Sequence, residues 1–243
     1  FPGGGPQEQG LDPHYAHGKN QIYPAGNFGY HLKPWLAAVD AGVSSIMPYY
    51  GVPIDVTYEG VKYEQTGMAF SKQIVTDLLR GKLGFNGYVN SDTGIINDRA
   101  WGLESKTVPE RVAAAINGGT DTLSGFNVNQ TITDLVKAGL VSEARVNEAA
   151  KRLLKPLFQL GLFENPYVNA DLATSVIGKD EHRAIGMDVQ RKSIVLLQNQ
   201  DQSVGKTLPI STTAKVYTMG IATSDTSKYF STVTNGETGS NGV

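Results

Sequence analysis

Apolar residues recur at helical spacing in several stretches, and most of these stretches are followed by a short β-prone run. Leu32, Trp35, Leu36 and Val39 share one face and Gly42 follows as a stop, which predicts a helix over residues 31–41. Residues 43–48 form a short β-like run ending in Met47-Pro48-Tyr49-Tyr50-Gly51. The unit then recurs. Phe70, Ile74, Leu78 and Leu79 predict a helix over 70–82, Gly84 and Gly87 punctuate the turn, and Tyr88-Val89 is a strand ending in the polar Ser91-Asp92. Pro109 suits the first turn of a helix over 109–116, with Gly118-Gly119 after it, and Asp121-Thr122-Leu123-Ser124 is a weak strand. Helices are predicted over 129–138 and over 142–160, where Val146, Ala149, Ala150, Leu153 and Leu157 are in register and Ser142 is the N-cap. A further helix over about 180–190 leads into the apolar run 193–197, and Lys215-Val216-Tyr217 has strand character. Residues 1–27 and 51–67 read as long loops.

Alternation of helices with single short strands predicts parallel βα units rather than hairpins. Only three such strands precede residue 125, too few to close a barrel, and they leave an open edge. The chain also opens inside the Gly/Pro-rich Phe1-Pro2-Gly3-Gly4-Gly5-Pro6 and ends in the Gly/Ser/Asn-rich 234–243. A piece of a longer protein is therefore expected. Gly161-Leu162-Phe163-Glu164-Asn165-Pro166 breaks the preceding helix and reads as the start of a linker.

Composition narrows the function. A net charge of −2 gives no basic surface for nucleic acid. No apolar run reaches the roughly 18 residues a membrane span needs. With no cysteine among the 243 residues, disulfides and thiolate metal sites are excluded. No other residues have metal-ligand spacing.

Three places carry candidate chemistry. Asp92 falls at a strand's carboxyl end, where ligands gather in parallel sheets, and a carboxylate there can attack an electrophilic carbon or take a proton. It can equally cap the following loop. Asp12-Pro13-His14 places a carboxylate two residues from an imidazole, either an acid/base dyad or a surface turn. Tyr49 and Tyr50 can stack on a ligand and donate phenolic hydrogen bonds, or pack in the core.

In chain order, these segments resemble glycoside hydrolase family 3. Phe1-Pro2-Gly3-Gly4-Gly5, His31-Leu32-Lys33-Pro34, Ala41-Gly42-Val43, residues 47–51, residues 84–92, Gly118-Gly119-Thr120-Asp121, residues 161–166 and residues 193–199 each resemble a family segment. The resemblance implies an α/β chain: the C-terminal part of a (β/α)8 TIM-like barrel over residues 1–160, a linker over 161–192, and the beginning of an α/β sandwich domain over 193–243. It implies a retaining exo-β-glucosidase acting by double displacement, with Asp92 as nucleophile. Tyr50 and Met47 would line the sugar subsite, with Tyr49 as the alternative register for Tyr50. Thr93 stands where many members carry a stacking Trp, a role Trp101 could take over, and the family's Lys-His pair would precede Phe1. The acid/base is expected beyond residue 243, as in two-domain members; the alternative is the Asp12–His14 dyad of the single-domain N-acetylglucosaminidases.

No metal or cofactor is implied. The partners implied are a β-glucoside or oligosaccharide, and the rest of the polypeptide or a second chain supplying the missing strands and acid. A periplasmic or secreted location goes with the resemblance. Competing readings are a β-N-acetylglucosaminidase or β-xylosidase, an inactive sugar-binding piece, or one half of a two-chain enzyme.

Overall fold

The computed structural model describes residues 1–3, 8–200, 205–218 and 232–235. Gly4, Gly5 and most of the Gly/Ser/Asn-rich 234–243 lie outside them. Two units are distinguished, Phe1–Tyr167 and Val168–Val243.

In the first unit, four chain segments lie side by side in sequence order and run in parallel. The Phe1 amino group donates to the Met47 carbonyl at 2.6 Å, and the Tyr49 N–H donates to the Phe1 carbonyl at 2.7 Å. Strand β2 (Ser45–Ile46) pairs in parallel with β6 (Tyr88–Val89), Ser45 opposite Tyr88 and Ile46 opposite Val89. Beyond β6, Asn90 bridges Thr122 in parallel, and the Ser91 N–H donates to the Thr122 carbonyl at 3.0 Å. The carboxyl ends of the segments therefore gather at one end of the unit. Outside this group, β1 (Asn20–Gln21) pairs in parallel with β3 (Val52–Pro53).

Helices cover the segments because their apolar faces have nowhere else to go. Phe28 and Leu32 of α1 (Phe28–Asp40), Ile74, Val75, Leu78 and Leu79 of the π-helix Gln73–Lys82, and Val112, Ala115 and Ile116 of α2 (Val108–Gly118) share one core with Ile46 and Val89. Ile74, Leu79 and Val89 are fully buried, and each such side chain stabilises the fold by about 1.5–3 kcal/mol relative to exposure. The helix expected over 70–82 is present, but wound more widely: the Leu83 N–H reaches back to the Leu78 carbonyl. Two further helices, α3 (Asn129–Lys137) and α4 (Glu143–Gln159), follow. Ser142 caps α4 as its sequence suggests, its hydroxyl accepting the Arg145 N–H at 3.1 Å.

A buried ion cluster ties β6 to the helices. The Asp121 carboxylate, whose side chain is wholly buried, meets Arg80 at 2.5 Å, Arg145 at 2.9 Å and Arg152 at 3.2 Å. It also accepts the Val89 N–H at 2.8 Å, while the Asp121 N–H donates to the Val89 carbonyl at 2.8 Å. Burial draws the Arg80 guanidinium down to about 10, although Asp121 opposes the shift.

The loop expected over 51–67 contains a hairpin: β4 (Thr57–Tyr58) pairs antiparallel with β5 (Val61–Lys62) across Glu59-Gly60. Both turn residues have positive φ, 49° and 80°, as the tight hairpin turn requires. The second unit contains α5 (Ala170–Val176), α6 (Asp180–Ser193), and the parallel pair β7 (Lys215–Thr218) and β8 (Thr232–Asn235). Asn169 caps α5 by accepting the Leu172 N–H at 2.9 Å.

The expected architecture, a C-terminal part of a (β/α)8 barrel passing through a linker into the beginning of an α/β sandwich, needs correction. The chain is α/β, but every strand described in residues 1–167 is two residues long and belongs to a separate two-stranded pairing. Gly87 lies before β6, Pro48 follows β2 and Pro53 ends β3, and proline has no N–H for a ladder. The apolar run 193–197 is no strand: Ser193 closes α6 and residues 194–200 carry no regular structure.

Candidate active site

Strand β6 delivers Asp92 to the carboxyl end of the parallel segments. Its side chain is 27% exposed, so it is held by the protein and open to solvent on one side. Oδ1 accepts the Thr93 N–H at 2.7 Å. Oδ2 lies 3.8 Å from a terminal nitrogen of Arg99, which also donates to the Thr93 carbonyl. The carboxylate thus has one oxygen fixed by backbone and the other facing a guanidinium. Arg99 in turn lies over the Tyr50 ring, 5.3 Å from its centroid.

Tyr50 links this carboxylate to the N-terminal loop. The residue is buried, and its hydroxyl lies 2.9 Å from Nε2 of His14. Burial, then the neighbouring Tyr49, then Asp92 push the phenol up to about 12, while Arg99 pulls it back. It is a neutral phenol at ordinary pH. Nδ1 of His14 lies 2.7 Å from Oδ1 of Asp12, which also accepts the His14 N–H at 2.9 Å. The two bonds from His14, backbone before side chain, hold the Asp12 carboxyl below the usual carboxylate range.

Trp101 is almost buried, and its indole N–H donates to the Pro13 carbonyl at 2.9 Å, pinning the turn between Asp12 and His14. Met47 is 38% exposed, and the Tyr49 and Tyr50 rings stand 4.9 Å apart. The structure therefore links Asp12 and His14 through Tyr50 to Arg99 and Asp92, with Trp101 bonded to the loop between Asp12 and His14. Arg99 was missed in the sequence: an isolated arginine in a loop carries no local signal. Ser91 and Ser124, which tie down the backbone on either side of Asp92, were missed for the same reason.

The opposite ends of the same strands carry a different feature. A cavity of about 300 Å³ is lined there by Ser44, Gly84, Gly87, Arg152 and Lys155. Among the described residues no group of three or more His, Asp or Glu is arranged to hold a metal ion. Nor is any described helix long and apolar enough to cross a membrane.

Known proteins show the family of the chain. The chain is 45% identical over 214 residues to a probable β-glucosidase C of Aspergillus oryzae, covering 84% of this chain and 33% of that protein. It is 34% identical over 239 residues to a periplasmic β-glucosidase/β-xylosidase of Dickeya chrysanthemi, covering 90% of this chain and 36% of that one. Among solved structures, a mutant β-glucosidase from Listeria innocua in complex with laminaribiose has the same fold over 98% of this chain and 34% of its own. The TM-score there is 0.71 and the identity 22%. The chain spans about a third of the length of the curated relatives it matches. Residues 1–155 match the glycosyl hydrolase family 3 N-terminal domain. That match also corrects the expected fold class, since residues 1–155 align to the family's N-terminal barrel-domain region rather than to a barrel's end. The chain belongs to glycosyl hydrolase family 3.

Proposed function

We propose that the protein carrying this chain is a retaining exo-β-glucosidase, which removes terminal non-reducing β-D-glucosyl residues with Asp92 as nucleophile. The observation that carries the reading is the setting of Asp92: a half-open carboxylate at a strand's carboxyl end, with Oδ1 held by the Thr93 N–H and Oδ2 free for attack beside Arg99. Oδ2 bonds to the anomeric carbon as the glycosidic oxygen departs with a proton from a general acid. Water, deprotonated by the same group, then releases the sugar from the Asp92 ester. Retention needs the second carboxyl about 5 Å away. By resemblance to two-domain members it comes from outside these 243 residues. Tyr50 and Met47 are assigned to the sugar subsite, and Trp101 to the support of the loop facing the leaving group.

The relatives named β-glucosidases, at 45% identity, support glucose as the sugar. The relatives named periplasmic support an exported protein. A second reading gives the acid/base role to His14 with Asp12, and it is favoured by their 2.7 Å contact and by the Tyr50 hydroxyl on Nε2.

Rates on aryl β-glucoside, β-xyloside and β-N-acetylglucosaminide separate these readings. The glucoside is expected to be the best substrate, and Asp92→Asn should lower its turnover by roughly 10⁴-fold or more with the fold intact. Near-normal turnover in Asp92→Asn removes the nucleophile assignment. A preference for the N-acetylglucosaminide, lost in His14→Ala, moves the function to the second reading.

A further inference from the structure

Ser124 spends all of its hydrogen bonds on the loop that carries Asp92. Its N–H donates to the Ser91 hydroxyl oxygen at 2.8 Å, and that hydroxyl donates to the Asp92 carbonyl at 2.9 Å. Its own hydroxyl lies 2.9 Å from the Thr93 hydroxyl, and its carbonyl accepts the Gly94 N–H at 3.0 Å. Three residues, Ser91 to the amino side of Asp92 and Thr93 and Gly94 to the carboxyl side, are thus held by one serine. Gly125 continues the contact. It has φ of +77°, and a Cβ there would meet the Thr93 methyl at 2.9 Å and the Gly94 nitrogen at 3.1 Å.

The Thr93 peptide is the part of the loop that matters for chemistry, because its N–H holds Oδ1 of Asp92 at 2.7 Å. Rotating that peptide removes the donor and turns the carboxylate. The Ser124 and Gly94 bonds restrain the rotation from the carboxyl side, and the Ser91 bond restrains it from the amino side. Ser91 is buried, whereas Ser124 is half-buried, Thr93 exposed, and the Thr93–Ser124 hydroxyl pair reaches solvent. A hydroxyl pair in that position contributes little to the core, so its worth lies in geometry.

We infer that Ser124 is a positioning residue for Asp92, acting through the Thr93 peptide to hold the carboxylate in line for attack; the inference rests on the reading of Asp92 as nucleophile. Misplacing a reacting group by about 1 Å costs on the order of 10²-fold in rate. Loss of the side-chain bond alone, with both backbone bonds kept, is expected to cost about tenfold.

The test uses the full-length protein and an activated 2-deoxy-2-fluoro-β-glucoside, which traps the nucleophile as an ester whose position mass spectrometry identifies. Ser124→Ala is expected to lower the trapping rate about tenfold, while the inhibition constant of glucose stays within about twofold. Ser124→Thr, which keeps the hydroxyl, should recover most of the rate. Thr93→Val should give a similar loss, and Ser124→Ala/Thr93→Val should be no slower than either single change. Where Ser124→Ala does not accumulate as folded protein, Thr93→Val carries the test. Unchanged trapping of Asp92 in Ser124→Ala overturns the positioning role and leaves the nucleophile in place. Parallel loss of trapping, glucose binding and thermal stability, with no recovery in Ser124→Thr, shows a merely structural serine and also overturns it. Trapping on a residue other than Asp92 overturns the nucleophile reading, and the positioning role with it.

Discussion

The Tyr50 hydroxyl lies 2.9 Å from Nε2 of His14, which joins the N-terminal loop to the strand end that precedes the Asp92 segment. The whole residue is buried: the ring packs in the core, and the hydroxyl at its tip makes the polar contact. Tyr50→Phe keeps the packing and removes the hydroxyl. One lost hydrogen bond is worth about 0.5–1.5 kcal/mol, so kcat/KM on an aryl glucoside is expected to fall by up to about tenfold. Steady-state kinetics with a thermal melt checks this. A large fall in melting temperature with unchanged kinetics would assign the bond to folding alone.

Arg99 touches both the Thr93 carbonyl and the side of Asp92, and it lies over Tyr50. Partial exposure screens the ion pair, so its value lies in one terminal nitrogen serving both groups while the guanidinium rests over the Tyr50 ring, rather than in charge alone. Arg99→Met is expected to lower kcat/KM by roughly 10–100-fold. Arg99→Lys should recover only part of the loss, because an ammonium has no planar face to lay over the Tyr50 ring. Equal activity of the Met variant and the parent would remove Arg99 from the site.

Asp121 holds three guanidinium groups in a place where solvent cannot screen them. Removing that carboxylate leaves Arg80 and Arg145 without their carboxylate partner and Arg152 with Glu148 alone, and frees the Val89 N–H that it accepts. Asp121→Ala is expected to destabilise the first unit by about 3–5 kcal/mol, read from denaturant unfolding. A loss below about 1 kcal/mol would mean that the arginines find other partners.

Asp12 titrates low because the His14 backbone N–H and then its ring both stabilise the carboxylate. A depressed folded value means that the contribution to stability is complete above the ordinary aspartate range and is lost as pH falls through the folded value. In a carboxyl-carbon NMR titration the Asp12 midpoint is expected below the ordinary aspartate value. His14→Ala should raise it only part of the way, since the backbone N–H of residue 14 remains. A full return to the ordinary value would give the whole effect to the ring.

Apart from α5, which falls within the expected linker, the helices were legible because each carries its own instructions. The apolar spacing of Ile74, Leu78 and Leu79, Pro109 in the first turn of α2, and Ser142 ahead of α4 act within a few residues of chain. The strand Tyr88–Val89 was legible for the same reason. The hairpin Thr57–Lys62 was not, since Glu59-Gly60 lacks the Asn or Asp that usually announces such a turn.

What only the tertiary structure decided is which distant residues meet. The sequence alone placed Asp92 at a strand end and Asp12 two residues from His14, because strand ends and i,i+2 pairs are local facts. That Tyr50 bridges toward the dyad, that Arg99 folds back over Tyr50 and Asp92, that Ser124 clasps the residues around Asp92, and that Arg80, Arg145 and Arg152 converge on Asp121 all depend on packing. Buried charges and polar groups must find partners wherever the fold brings them, and no spacing along the chain says which partner that is.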